Sequence, residues 1–245
     1  MSEHEIAKHT KAIYKTWQAP NKKVKEKIFE IFIEIAIIVF AITLSLLLER
    51  WRENGHDRKI ERSFLFGLKE DLQNDTAQLK GDSATYSLLM SGWKYMRNVG
   101  IMDLEISKDS FLKYGWTLNN TSDFIANNSR FEALKSSGQL DVIEDDSLKS
   151  AILNLYQDKI KVLLISTAFF TKFKAEQLMP FLSKNFRIYK NGDTNISELL
   201  RNPEMQNYLL LGNTASEIME RYHAVIAQSI KIIFMINGQY KLAPK

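Results

Sequence analysis

The chain has 245 residues, 45% apolar and 25% charged, with 33 Lys and Arg against 29 Asp and Glu. This excludes a wholly disordered chain, and the absence of cysteine excludes a disulfide framework, a cysteine zinc site and a thiol nucleophile. Four prolines and ten glycines favour long helices over a turn-dense β fold.

The net charge of +4 is unevenly placed. Residues 1–27 hold seven lysines and three glutamates, and the rest of the chain balances. A nucleic-acid binder carries its basic stripe on the folded domain. A basic stretch beside an apolar run predicts a membrane surface instead, with lipid as partner and no nucleic acid. Within residues 1–20, Ile6, Ile13, Tyr14 and Trp17 recur at helical spacing, with Lys8, Lys11 and Lys15 on another face. That pattern fits either a short amphipathic helix on an anionic leaflet or a solvated tail.

Residues 28–48 read IFEIFIEIAIIVFAITLSLLL, uncharged from Ile35 to Leu48. A bilayer core takes roughly 20 helical residues, because lipid offers bare backbone groups no partner. The run therefore predicts a transmembrane helix over 28–50, with Trp51 as its interface anchor. Lysines before the helix slightly outnumber the basic residues after it. The positive-inside rule then puts the N-terminus in the cytoplasm and the C-terminal part in the periplasm of an inner membrane. Glu30 and Glu34 share a helix face that continues through Ala41 and Ser45, a pair small enough for another helix to approach. That stripe is a candidate packing surface. The same acids also fit a headgroup boundary or a proton pathway.

Beyond the span, Ile60, Phe64, Leu68, Leu72, Leu79, Tyr86, Met90 and Trp93 follow a helical period, predicting a helix from about Lys59 to Asn98, with a break possible at Gly81 and an end at Val99-Gly100. Ser107-Lys108-Asp109 caps a short helix. Asn119–Ser122 and Asn127–Ser129 read as loops. A helix from Ser129 ends at Ser136-Ser137-Gly138, and Asp145-Asp146-Ser147 opens a long one that Pro180 kinks or ends. Phe169, Phe170, Phe173, Phe181 and Phe186 are expected in the core. After a turn over Tyr189–Asp193, Pro203 starts a last helix running to Ile236, whose apolar stretch 224–236 is too short to cross a bilayer. The fold predicted is all-α: a basic segment over 1–27, one N-terminal transmembrane helix, and an antiparallel helical bundle over 51–245.

Residues 34–53, EIAIIVFAITLSLLLERWRE, resemble the anchor of an uncharacterised family of single-pass membrane proteins common in Bacteroidota. Glu34-Ile35 and Trp51 match it, and Ala41 and Ser45 occupy its small positions. Glu49 and Arg50 stand where the family has an Asn pair. Arg130–Tyr156 resembles the family's aromatic-x-x-Leu-x-x-Ser-Gly block. The resemblance implies topology and brings no activity with it.

No phosphate loop, dinucleotide fingerprint, HExxH or GxSxG occurs, and His4, His9, His56 and His223 are not spaced as metal ligands. Asp145-Asp146 reads as a helix cap. The expectation is therefore a non-enzymatic, membrane-anchored scaffold or accessory subunit without cofactor or metal. It would pack against itself or a larger membrane partner. The alternatives are a sensory or ligand-binding helical module and an accessory subunit of a proton-driven complex using Glu34.

Overall fold

The computed structural model describes Lys11, Tyr14, residues 24–212 and residues 214–240. The chain divides into two compact units, Met1–Arg62 and Ser63–Lys245. Among the described residues it is all-α, apart from one isolated β-bridge between Ile188 and Thr194. The amphipathic helix weighed for residues 1–20 lies outside the described residues, except for Lys11 and Tyr14, which are helical.

Helix α1 runs from Val24 to Ile101 and contributes 24–62 to the first unit and 63–101 to the second. The hydropathy pattern separates a span from a helix beginning at Lys59. They are one helix, because 49–58 contains no proline and Gly55 alone costs only about 1 kcal/mol relative to Ala. Gly81 does not interrupt it either, and the helix ends past Gly100, where Asp103 takes a positive φ of 52°.

In the second unit, Ser107 caps α2 (Lys108–Tyr114) by accepting from Ser110 N–H, and a 3-10 turn, Gly115–Leu118, comes next. Residues 119–128 form no helix and make an irregular strap. Helix α3 (Ser129–Ser136) closes on Gly138 at φ +72°, as the Ser-Gly pair predicted. Asp145 caps α4 (Asp146–Asn154), accepting from the N–H groups of Ser147 and Leu148.

From α4 the helical path continues through a π-turn (Leu155–Lys159), α5 (Ile160–Phe173), a second π-turn (Lys174–Leu178) and α6 (Met179–Asn185). Pro180 therefore does not end the helix. Its missing N–H falls just after the second π-turn, where Met179 N–H already reaches back to Lys174 O. A short helix that the sequence did not announce, α7 (Ile196–Arg201), precedes α8 (Pro203–Leu211) and α9 (Thr214–Tyr240). The single last helix expected to Ile236 is thus two. At the break, Gly212 lies against the Trp93 indole with no room for a Cβ. Gly238 is not used as a cap, and α9 runs on to Tyr240.

The core of this unit forms where three helices meet. Tyr86 of α1 lies 6.1 Å from the Phe170 ring of α5 and 5.5 Å from the Tyr222 ring of α9, and Trp93 lies 5.6 Å from Phe170. Contacts of Phe66 with Tyr240 and of Ser83 with His223 show α9 running antiparallel to α1. The 146–185 rod runs the same way as α1, because the strap makes the return. Phe170, Phe173 and Phe181 are buried as expected, whereas Phe169 is 68% exposed on the outer face of α5.

Candidate functional site

In the first unit the apolar residues face outward. Phe40 is 68% exposed and Trp51 77%, and none of the helix's most apolar window is buried. Ile31, Glu34, Ile38 and Ala41 are half-buried and share one ridge at spacings of three and four. Ser45, one turn further along that ridge, is exposed; its hydroxyl donates to Ala41 O at 2.8 Å, and Thr43 likewise donates to Val39 O. Both polar side chains are thus satisfied by their own helix. The ridge joins Glu34, Ala41 and Ser45 as the spacing predicted. Glu30 lies on α1 one turn earlier, with its side chain outside the described residues.

The second unit concentrates its polar chemistry on the strap. An irregular segment packed on a helix needs partners for its backbone groups, and α1 supplies them in a descending ladder. Trp93 Nε1–H donates to Thr117 O at 3.1 Å, and the Tyr86 hydroxyl donates to Ser122 O at 3.1 Å. Ser122 donates to Asp82 Oδ1 at 2.5 Å. Both oxygens of Asp75 accept from Asn127 N–H at 3.2 Å, and Oδ1 also accepts from Asn127 Nδ2 at 2.5 Å. Asp71 pairs with Arg130 at 2.9 Å, and the Arg130 guanidinium fills the space that a Cβ on Gly67 would occupy.

Lys174, in the second π-turn, holds the start of the strap as well. Its side chain is only 2% exposed, and Nζ donates to Thr117 O at 2.8 Å and Asn120 O at 2.5 Å. It also lies about 5 Å from the ring centres of Trp93 and Phe170. Burial pulls the ammonium down to about 7, while the carbonyls and ring faces favour its charged form. Asp75 is buried too. Burial holds its carboxyl above the ordinary range, with the Asn127 hydrogen bonds opposing and Asp71 adding to the rise.

Sequence reasoning missed Asp75, Asp82 and Lys174 as site residues. Asp75 and Asp82 alternate with Leu72, Leu79 and Tyr86 at spacings of three and four, and Lys174 succeeds Leu163, Thr167 and Phe170 in the same way. Charged residues on an apolar stripe were the signal. The capping role predicted for Asp145 is realised, and His223 sits at the surface with Nε2 3.3 Å from Ser83 Oγ. Among the described residues no group of three His, Asp or Glu is placed to hold a metal ion. An open pocket of about 260 Å³ lies beside Phe169, Phe173 and Leu211, with Lys172 and Glu176 at its rim.

Among the described residues, these features define an all-α protein with one helix long and apolar enough to cross a membrane and a second unit tied together by a hydrogen-bonded strap. The chain belongs to the family of unknown function DUF6090, whose sequence profile matches residues 34–188. That match includes both stretches on which the resemblance rested and stops before α7. No curated protein and no solved structure matches the chain.

Proposed function

We propose that this protein is a non-enzymatic, membrane-anchored scaffold or accessory subunit. Its helix over 28–50 crosses a bacterial inner membrane with the N-terminus in the cytoplasm and the bundle in the periplasm. The Glu34, Ala41 and Ser45 ridge, with Glu30 at its start, packs against a second copy or a larger membrane protein, and Trp51 marks the outer interface. The observation that carries this reading is the outward-facing apolar surface of 28–48, which water does not tolerate and lipid does. The ridge supports the packing role, because its small residues let a second backbone come close while the Ser45 hydroxyl needs no outside partner.

The chain contains no cysteine, so single cysteines report contacts without background. Oxidative crosslinking in native membranes should trap Ile38→Cys and Ala41→Cys as dimers or as a larger adduct, while Phe40→Cys stays monomeric. Equal yields at all three positions, or none at any, would remove the ridge as an interface. A chain released from vesicles by alkaline carbonate would remove the membrane span itself.

A further inference from the structure

Two acid pairs lie along the strap, and they differ in one respect. Asp71 and Asp75 have Arg130, which pairs with Asp71 and opposes the effect of both acids on Tyr156. Asp82 and Asp123 have no such partner. Among the described residues no lysine or arginine pairs with either, and only acids and a neighbouring phenol act electrostatically on Tyr86 and Tyr222 beside them. Two buried oxygens in this neighbourhood also lack a hydrogen-bond partner: Asp82 Oδ2 and the hydroxyl of Tyr222, a residue with 0% exposure. Four other buried side-chain atoms among the described residues likewise lack one, but these two are oxygens that share one neighbourhood with an acid pair, and buried polar atoms are nearly always satisfied by protein, water or an ion.

The rest of the cluster is oxygen as well. Ser122 Oγ occupies Asp82 Oδ1, the Tyr86 hydroxyl donates to Ser122 O, and Thr171 Oγ1 donates to Asp123 Oδ1 at 3.4 Å. His223, the neighbouring titratable group on α9, faces Ser83. Asp123 is exposed and offers a way in from solvent. Hard cations take carboxylate, hydroxyl and carbonyl oxygens in this kind of mixture, and two carboxylates with neutral oxygens suit a weakly held ion rather than a tight one.

We propose that Asp82, Asp123 and Tyr222 form a binding site for one hard, oxygen-seeking cation, which does for this acid pair what Arg130 does for the other. Bound there, the cation joins the middle of the strap to α1 and α9. The site is separate from the membrane ridge and does not depend on its role.

The test is thermal unfolding of the full chain in neutral detergent near neutral pH, with choline chloride holding ionic strength constant. Sodium and calcium are titrated in separate arms. A ligand that binds only the folded state raises stability saturably, so one arm should raise Tm to a plateau and thereby identify the ion. Asp82→Asn should abolish the rise. Tyr222→Phe, which keeps the ring packing, should weaken the midpoint at least about tenfold. Asp71→Asn, altered in the acid pair that has its arginine, should respond as the parent does. The proposal is overturned if sodium and calcium do no more than choline, which would leave a bridging water as the occupant. An undiminished response in Asp82→Asn overturns it equally, and if that variant does not fold, an unshifted midpoint in Tyr222→Phe does so.

Discussion

Residues 28–48 and 63–101 belong to one helix, yet they satisfy opposite solvents. The first stretch turns Phe32, Phe40 and Leu47 outward and closes its hydroxyls onto its own carbonyls. The second turns Leu72, Leu79 and Trp93 inward, and on that same inward face it carries Asp75 and Asp82 to meet a backbone that has no helix of its own. Helical propensity is alike in both. What differs is where unpaired backbone exists: nowhere in 28–48, and along the whole strap beside 63–101. Acids on a helix's inward stripe therefore mark the path of an irregular neighbour rather than a reactive centre.

One arginine placed in each region tests this contrast. Leu79→Arg puts an unpaired charge in a fully buried position and should destabilise the bundle by about 4–5 kcal/mol, read as a lower denaturant midpoint. Phe40→Arg should leave the bundle's unfolding unchanged and weaken membrane insertion by about 3 kcal/mol, read as the fraction retained after carbonate extraction. Equal bundle destabilisation by both would break the comparison.

Lys174 sharpens it. The folded-state pKa of about 7 lies below the ordinary 10.5, so the unfolded chain binds more protons between those values and stability should rise with pH across that window. By linkage the rise amounts to several kcal/mol across that window. Lys174→Met should flatten the slope of stability against pH from 7 to 10. Trp93 still donates to Thr117 O in that variant, so the fold should survive. A parent protein with no slope would show that the ammonium is not held away from water. The smallest effect is expected at Asp145→Ala, which removes the cap of α4 and should lower stability by about 1 kcal/mol in urea unfolding.

Much of this was legible in the sequence. The apolar run, the Ser-Gly stop after α3 and the Asp145 cap were read from local chemistry alone, because local hydrogen bonding decides them. The continuity of α1 was not, because no local signal distinguishes a polar helical stretch from a loop that happens to lack proline. The strap was read as loops at Asn119–Ser122 and Asn127–Ser129, which is correct in backbone conformation except at Ser129, the first residue of α3, and silent about its tethers. Those tethers join residues 24 to 59 positions apart, beyond the reach of periodicity. Phe169 was misplaced for a related reason: α5 is apolar on both faces, so composition could not say which face the core would take.

The two π-turns in the 146–185 rod have unequal standing. Each holds one residue more than an α-helical path needs, so each is a place where the polypeptide could be shortened by one without rotating the helix beyond it. Leu155–Lys159 has no proline behind it, and a chain one residue shorter there would still turn Phe170 and Lys174 toward the same neighbours. Lys174–Leu178 has Pro180 two residues past its end, and shortening that turn would press the pyrrolidine ring into the carbonyl one turn back. The first slack loop of helix is spare; the second is the clearance a proline requires.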